Sequence, residues 1–317
     1  MVINGYYLEG ELQNANSGFS KWTFANKNGK SYFIKELLNP VYPADRSIMT
    51  DEMFRDRVRY CVEFEEKYRR FYNTINRASK GNLVRIVDFL RNGSKYYVIT
   101  ERINSDADVN TISTLSERQR VLLLKTIARG FYDLHTSGII HFDVKTSNIL
   151  LKRTSHGNYT AKVIDFDSGF FKGDSIEDRE LGGDLTYLAP ETFLRISGED
   201  ILPDEKADIF ALGLVFHEYY CGYLPPFNTE EYEYPFEASL ETGRIKADES
   251  KMPQALADLI EAMLDCEPEN RPTSDKILAT LDEIYSSLPA DSVSVPPSPI
   301  NTAKTNSGSW FSTAGDL

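Results

Sequence analysis

The stretch Ile139-Ile140-His141-Phe142-Asp143-Val144-Lys145-Thr146-Ser147-Asn148-Ile149-Leu150-Leu151 sets a carboxylate, a cation and an amide at i, i+2 and i+5 between two apolar runs. Apolar runs this short, broken by polar residues, read as buried strand ends flanking a loop. Alone the triple is suggestive, since Asp and Asn also cap local backbone in ordinary turns. Beyond it the chain turns through His156-Gly157-Asn158 and returns as Ala161-Lys162-Val163-Ile164-Asp165-Phe166-Asp167, leaving a second carboxylate at the end of an apolar strand. Tyr187-Leu188-Ala189-Pro190-Glu191, Asp208-Ile209-Phe210-Ala211-Leu212-Gly213 and Pro268-Glu269-Asn270-Arg271-Pro272-Thr273 follow. Five signatures in one order exceed coincidence.

Upstream, Ser116 and Gln119 have the spacing of a capping box, and Leu124, Ile127, Phe131 and Leu134 recur at helical spacing until Gly138 offers a C-cap. Further helices are expected at Lys206 to Tyr220, Gln254 to Leu264 and Ser274 to Ser287. The first hundred residues read differently. Tyr6 to Leu12, Trp22 to Ala25 and Ser31 to Lys35 are aromatic and β-branched, with the turn Asn26-Lys27-Asn28-Gly29 between the last two. Val84 to Leu90 and Tyr96 to Thr100 continue that pattern. Only Asp51 to Arg77, with Cys61, Tyr68, Tyr72 and Ile75 at helical spacing, interrupts it as one long helix. The expected fold is α+β and bilobal: a small β-rich lobe with one long helix (1–102) and a larger, mainly α-helical lobe (103–288), with a ligand cleft between them. From Pro289 to Leu317 the composition turns to Pro, Ser, Thr, Gly and Asn, too little apolar area to offset ordering entropy, so this reads as a flexible tail. Its pair Trp310-Phe311 is either incidental or an anchor.

The 317 residues carry 35 Lys and Arg against 48 Asp and Glu, a net charge of −13. Such a surface repels phosphate backbones and anionic membranes, so nucleic acid is not an expected partner. Three cysteines, far apart and outside metal-ligand spacing, fit a reducing compartment without disulfide or zinc. No leader and no window of about 18 apolar residues is seen, so the expectation is a cytosolic protein without a membrane span.

At the five signatures the sequence resembles the eukaryotic-type (Hanks-type) serine/threonine protein kinase family, over roughly residues 5–287, with a degenerate glycine-rich loop. Tyr32-Phe33-Ile34-Lys35 resembles the strand that bears the ATP lysine, and His141-Phe142-Asp143 with Lys145 and Asn148 resembles the catalytic loop. Asp165-Phe166-Asp167 looks like the magnesium motif, and Ala189-Pro190-Glu191 closes the activation segment, with Arg271 as the implied partner of Glu191. The resemblance implies ATP and Mg²⁺, Asn148 and Asp165 on the metal, Lys35 on the α and β phosphates, Asp143 as base or orienting group, and Lys145 beside the transferred phosphate. It implies a protein substrate with a Ser or Thr acceptor; if that holds, the Ser- and Thr-rich tail is expected to be phosphorylated in cis or in trans. A helix carboxylate should hold Lys35. Among Glu63, Glu65 and Glu66 the choice is Glu65, which shares a face with Cys61, Tyr68 and Tyr72. Ser17 and Gly18 fall at the phosphate loop, and Glu101 and Ile103 at the hinge that would bond adenine, with Thr100 guarding a back pocket. His141 should pack behind the loop rather than take part in chemistry.

The departures from the family pattern are specific. One displaced glycine remains in Ala15-Asn16-Ser17-Gly18-Phe19-Ser20. Phe142 stands where many members have arginine, which removes a receptor for an activation-loop phosphate. Asp167 replaces a glycine and is either a further metal ligand or a stiffener. Asp184 follows Gly183 where a hydroxyl is usual, so the bridge from Asp143 to Lys145 is lost or is replaced by an Asp184 to Lys145 ion pair. Two other functions compete with phosphoryl transfer to protein. A nucleotide-binding pseudokinase scaffold is favoured by the degenerate loop and Asp184, and opposed by Lys35, Asp143, Asn148 and Asp165. A small-molecule phosphotransferase shares the loop carboxylate and amide but lacks the Ala-Pro-Glu segment.

Overall fold

A computed structural model describes residues 1–14, 20–47, 49–174 and 183–290. The expected phosphate loop with Ser17 and Gly18, and nearly all of the tail with Trp310-Phe311, lie outside the described residues. The N-terminal part is a six-stranded sheet in the order β1-β2-β3-β4-β6-β5, formed by Val2–Ile3 (β1), Tyr6–Leu8 (β2), Ser20–Lys27 (β3), Lys30–Leu37 (β4), Ile86–Asn92 (β5) and Lys95–Glu101 (β6). Asn28 and Gly29, both at positive φ, turn β3 into β4. The two strands then pair antiparallel, with Trp22 opposite Lys35. Because strand side chains alternate, Ile34 enters the small cluster with Ile3, Tyr6, Ala25, Tyr97 and Ile99, whereas Lys35 turns to the opposite face.

That opposite face is covered by α1 (Asp51–Ala78). Thr50 caps it by accepting from the Met53 amide, and Asp51 and Glu52 suit its first turn. At 28 residues it runs about 42 Å, and it buries Cys61, Phe71, Tyr72, Ile75 and Ala78. An aromatic seam clamps it to the sheet, with Phe64 and Tyr68 centroids 4.3 Å apart, Phe64 and Tyr96 5.2 Å, and Tyr72 and Phe89 5.4 Å.

The second part is helical. After α2 (Val109–Ser113), α3 (Glu117–Thr136) starts with the expected capping box and gives way at Gly138, which takes φ +72°. β7 (Ile139–Ile140), β8 (Ile149–Arg153), β9 (Tyr159–Val163) and β10 (Phe170–Phe171) form two small ladders, β8 with β9 and β7 with β10. Then follow α4 (Pro190–Ile196), α5 (Glu205–Cys221), α6 (Pro235–Thr242), α7 (Gln254–Met263) and α8 (Ser274–Ser287). α5 is buried nearly all round, which makes it the centre of this part. Apolar spacing does not announce α2, α4 and α6. Helices of one or two turns owe their existence to caps and packing, here an Asp108 cap and prolines at the starts of α4 and α6. The strand expected over Tyr6 to Leu12 stops at Leu8, and Gln13 returns to pair with Trp22 as an isolated bridge.

Candidate active site

β7 and β8 hold the ends of the loop 141–148, and α5 fixes its start. His141 is fully buried, its Nε2 2.9 Å from the Ile164 carbonyl, and its ring packs on Phe131 and Phe166. The backbone amides of His141 and Phe142 each donate to Asp208, at 2.8 Å. Phe142 has φ +63°, a left-handed conformation costing a bulky residue about 1–3 kcal/mol. Two charge-assisted bonds to a carboxylate 1% exposed are strong enough to hold it there. The sequence reading gave Asp208 no role. Its signal was a carboxylate opening an apolar helix that has no wet face.

That strained start turns Asp143 toward Asn148 and Lys145. Asn148 Nδ2 donates to both the carbonyl oxygen and Oδ2 of Asp143 at 2.8 Å, and Lys145 Nζ lies 3.1 Å from Asp143 Oδ1. All three expected residues are thus brought together. The amide nitrogen of Asn148 is committed to Asp143, which leaves its carbonyl oxygen as the donor for a cation.

On the other side of Asn148 opens a cleft of about 1040 Å³, mouth included, lined by Lys35, Tyr72, Asn148, Asp165 and Asp167 and edged by Glu101 and Ile103. Its walls are otherwise mostly apolar, including Trp22, Val84, Val98 and Ile164. An apolar-walled cleft with a few convergent charges suits a small ligand with a flat ring at one end and anionic groups at the other. At the hinge edge, Glu101 is braced through its side chain by the Arg85 amide (3.0 Å) and Lys162 (3.1 Å).

Lys35 reaches across from β4 to the opposite strand end, Nζ 2.6 Å from Asp165 Oδ1 and 2.9 Å from Asp167 Oδ2. Burial would lower the lysine's pKa, but the two carboxylates outweigh it and hold it above its usual range. Burial likewise opposes ionisation of Asp165, and Lys35 overcomes it, so Asp165 stays below the usual carboxylate range. Asp167 is shifted the other way, upward, by burial and the adjacent Asp165. An aspartate and an amide carbonyl are the oxygen donors that Mg²⁺ accepts, so Asp165 and Asn148 fit that ion.

The expected pairing of Glu65 with Lys35 is not made. Glu65 accepts from the Tyr96 hydroxyl at 2.9 Å and pairs with Arg91 at 3.3 Å. The helix residue that lines the cleft is Tyr72. It shares a face with Glu65 but lies seven residues on, about 10 Å further along the axis, so the face was read correctly and the height was not. Burial pushes the Tyr72 hydroxyl well up, with Asp167 and Asp165 adding, and it has no partner among the described residues.

Of the two alternatives for Asp184, the ion pair with Lys145 does not form. Its carboxylate accepts from the Thr186 amide at 3.1 Å, while Lys145 stays on Asp143. The expected pair of Glu191 and Arg271 does form, bidentate at 2.7 Å on both arms.

A family model described as "Protein kinase domain" matches residues 55–281. β1 to β4, and Lys35 with them, fall outside that match. Among curated proteins the chain is similar to a probable myosin light chain kinase of Dictyostelium discoideum, 26% identical over 162 residues, which covers 50% of this chain and 51% of the relative. Serine/threonine-protein kinase PSK2 of Saccharomyces cerevisiae is 26% identical over 237 residues, 73% of this chain and 20% of the relative. Dual specificity testis-specific protein kinase 2 of Mus musculus is 29% identical over 240 residues, 68% and 38%. The chain spans between 20% and 51% of the length of these relatives.

Proposed function

This chain belongs to the protein kinase family, and we propose that it is a catalytically competent serine/threonine kinase that moves the γ-phosphoryl group of ATP onto a protein hydroxyl, in the cytosol. The observation that carries the reading is Asp143 held between Asn148 and Lys145, one residue away from a cleft in which Lys35 and Asp165 converge. In this reading the apolar cleft takes adenine against the Glu101 to Ile103 edge, and Lys35 neutralises the α and β phosphates. Bound Mg²⁺, held by Asp165 and the Asn148 carbonyl, would offset the charge on the phosphates. Asp143 orients the acceptor hydroxyl and takes its proton, with the Asn148 amide fixing the carboxylate's rotamer. Lys145, 3.1 Å from Asp143, is placed to neutralise the phosphoryl group in flight. Serine/threonine preference is supported by Lys145 two residues after Asp143 and by relatives named as serine/threonine kinases.

A scaffold without catalysis is the second reading, favoured by Tyr72 where a helix carboxylate is expected. Radiolabelled ATP with Mg²⁺, offered to the protein alone and with a generic protein acceptor, separates the two. Label should appear, and Asp143→Ala should lower turnover by about 10²–10⁴ while nucleotide binding persists. No label on either acceptor would favour the scaffold. Preserved turnover with lost ATP affinity in Asp143→Ala would refute the role of Asp143.

A further inference from the structure

Lys35 carries two carboxylates, and neither comes from α1. The acidic residues in the middle of that helix are accounted for: Glu65 is engaged by Tyr96 and Arg91, and Glu63 and Glu66 are exposed. Where α1 meets the cleft it presents Tyr72, an aromatic 4% exposed. A tyrosine cannot supply the anion that holds an ammonium toward phosphates.

Asp167 can. Its Oδ2 is 2.9 Å from Lys35 Nζ and also faces the Ser20 hydroxyl at 3.4 Å, so it is tied to both β4 and β3 across the cleft. A largely buried carboxylate persists only where a cation or donors compensate it, and Lys35 is that cation. Asp165 lies closer to Lys35, at 2.6 Å, but in the proposed reading its carboxylate would also hold the divalent cation, so the lysine would share it. Asp167 is two residues further along the same loop, and its Oδ2 is engaged by Lys35 and Ser20 together.

We propose that Asp167 is the positioning residue for Lys35, so that the anchor of the ATP lysine is carried by the metal-binding loop and not by α1. This rests on the reading above and deepens it. The consequence is regulatory: in kinases whose lysine is held from the helix, displacing the helix breaks the pair and switches the enzyme off. Here the helix is clamped by the Phe64, Tyr68, Tyr72 and Phe89 seam and contributes no ion to the site, so the lysine stays set as long as the loop does.

The test measures binding of a fluorescently labelled ATP, in EDTA and in Mg²⁺, beside steady-state kcat and KM for ATP, on the full chain and its Asp167→Asn, Asp167→Glu and Glu65→Gln variants. EDTA silences any metal-ligand role of residue 167, so a loss seen there is a loss of lysine positioning. Asp167→Asn should weaken nucleotide binding at least about tenfold in both conditions and raise KM for ATP, the loss of one buried charge-assisted bond. Asp167→Glu, which keeps the anion, should recover most of that loss even if Asp167→Asn also folds less stably. Glu65→Gln should stay within about twofold of the parent, as a partly exposed pair does. Asp167→Asn within twofold of the parent in EDTA, or Glu65→Gln as damaging as Asp167→Asn, would overturn the inference. A parent that binds nucleotide but transfers no phosphoryl group would sink the catalytic reading alone, and the binding ratios would still decide Asp167. A parent that binds no nucleotide would sink both.

Discussion

His217, fully buried in α5, has both ring nitrogens occupied. Nδ1 lies 2.8 Å from the Tyr223 carbonyl, and Nε2 lies 3.1 Å from the Asp248 amide, which can only donate. The ring is therefore the neutral tautomer with its proton on Nδ1, and a second proton on Nε2 would meet the amide hydrogen. Burial lowers its pKa below 6.5, against a smaller upward pull from the Tyr223 bond and Asp248. A depressed folded-state pKa means that the unfolded chain takes up the proton first. The stability His217 contributes is thus complete above about pH 6.5 and falls as pH drops from there toward the folded-state value, by at most about 1.4 kcal/mol per pH unit. Urea midpoints between pH 7.5 and 5.5 should show this decline, and His217→Gln should flatten it. An unchanged slope in that variant would clear His217 of the effect. At this scale the sequence was informative about type and silent about partners: His141 as a packed residue could be read, whereas Asp208 beneath it, 67 positions away, could not.

Between elements, the ion pair of Glu191 and Arg271 ties the start of α4 to the segment before α8. Arg271 has five donors, and each has an acceptor: both oxygens of Glu191 and the carbonyls of Asp265, Cys266 and Lys206. Its side chain is wholly buried, so every one of these bonds replaces a lost water. Arg271→Met should cost about 3–5 kcal/mol in urea unfolding, because it leaves Glu191 charged and alone. Adding Glu191→Met should return much of it by removing the orphan. A double variant no better than the single would mean that the carbonyl bonds, not the ion pair, carry the energy. The long helices were legible at this scale. α1 was expected over Asp51 to Arg77 and spans Asp51–Ala78, and α8 matches its expected bounds, since caps and 3.6-residue spacing are local signals. The short helices α2, α4 and α6 were not, because one or two turns carry too little periodicity.

Across the whole molecule, Lys35 joins the sheet to the helical part through Asp165 and Asp167, 130 and 132 residues away in sequence. A ligand that bridges the same gap should stabilise both parts together. In thermal melts, ATP with Mg²⁺ at about 100 times its dissociation constant should add about 2.7 kcal/mol, seen as a raised midpoint. Lys35→Met should abolish that shift at the same concentration; a full shift in the variant would show that the lysine does not engage the nucleotide. The order of the five signatures, the capping box of α3 and the strand that bears Lys35 were legible in the sequence, because each is a matter of neighbours a few residues apart. Which anion meets that lysine was settled only in three dimensions. Helical periodicity gives the direction a side chain points but not its height along a 28-residue axis relative to a strand end, so Glu65 looked suitable, whereas Tyr72 stands at the cleft and Asp165 and Asp167 meet the lysine.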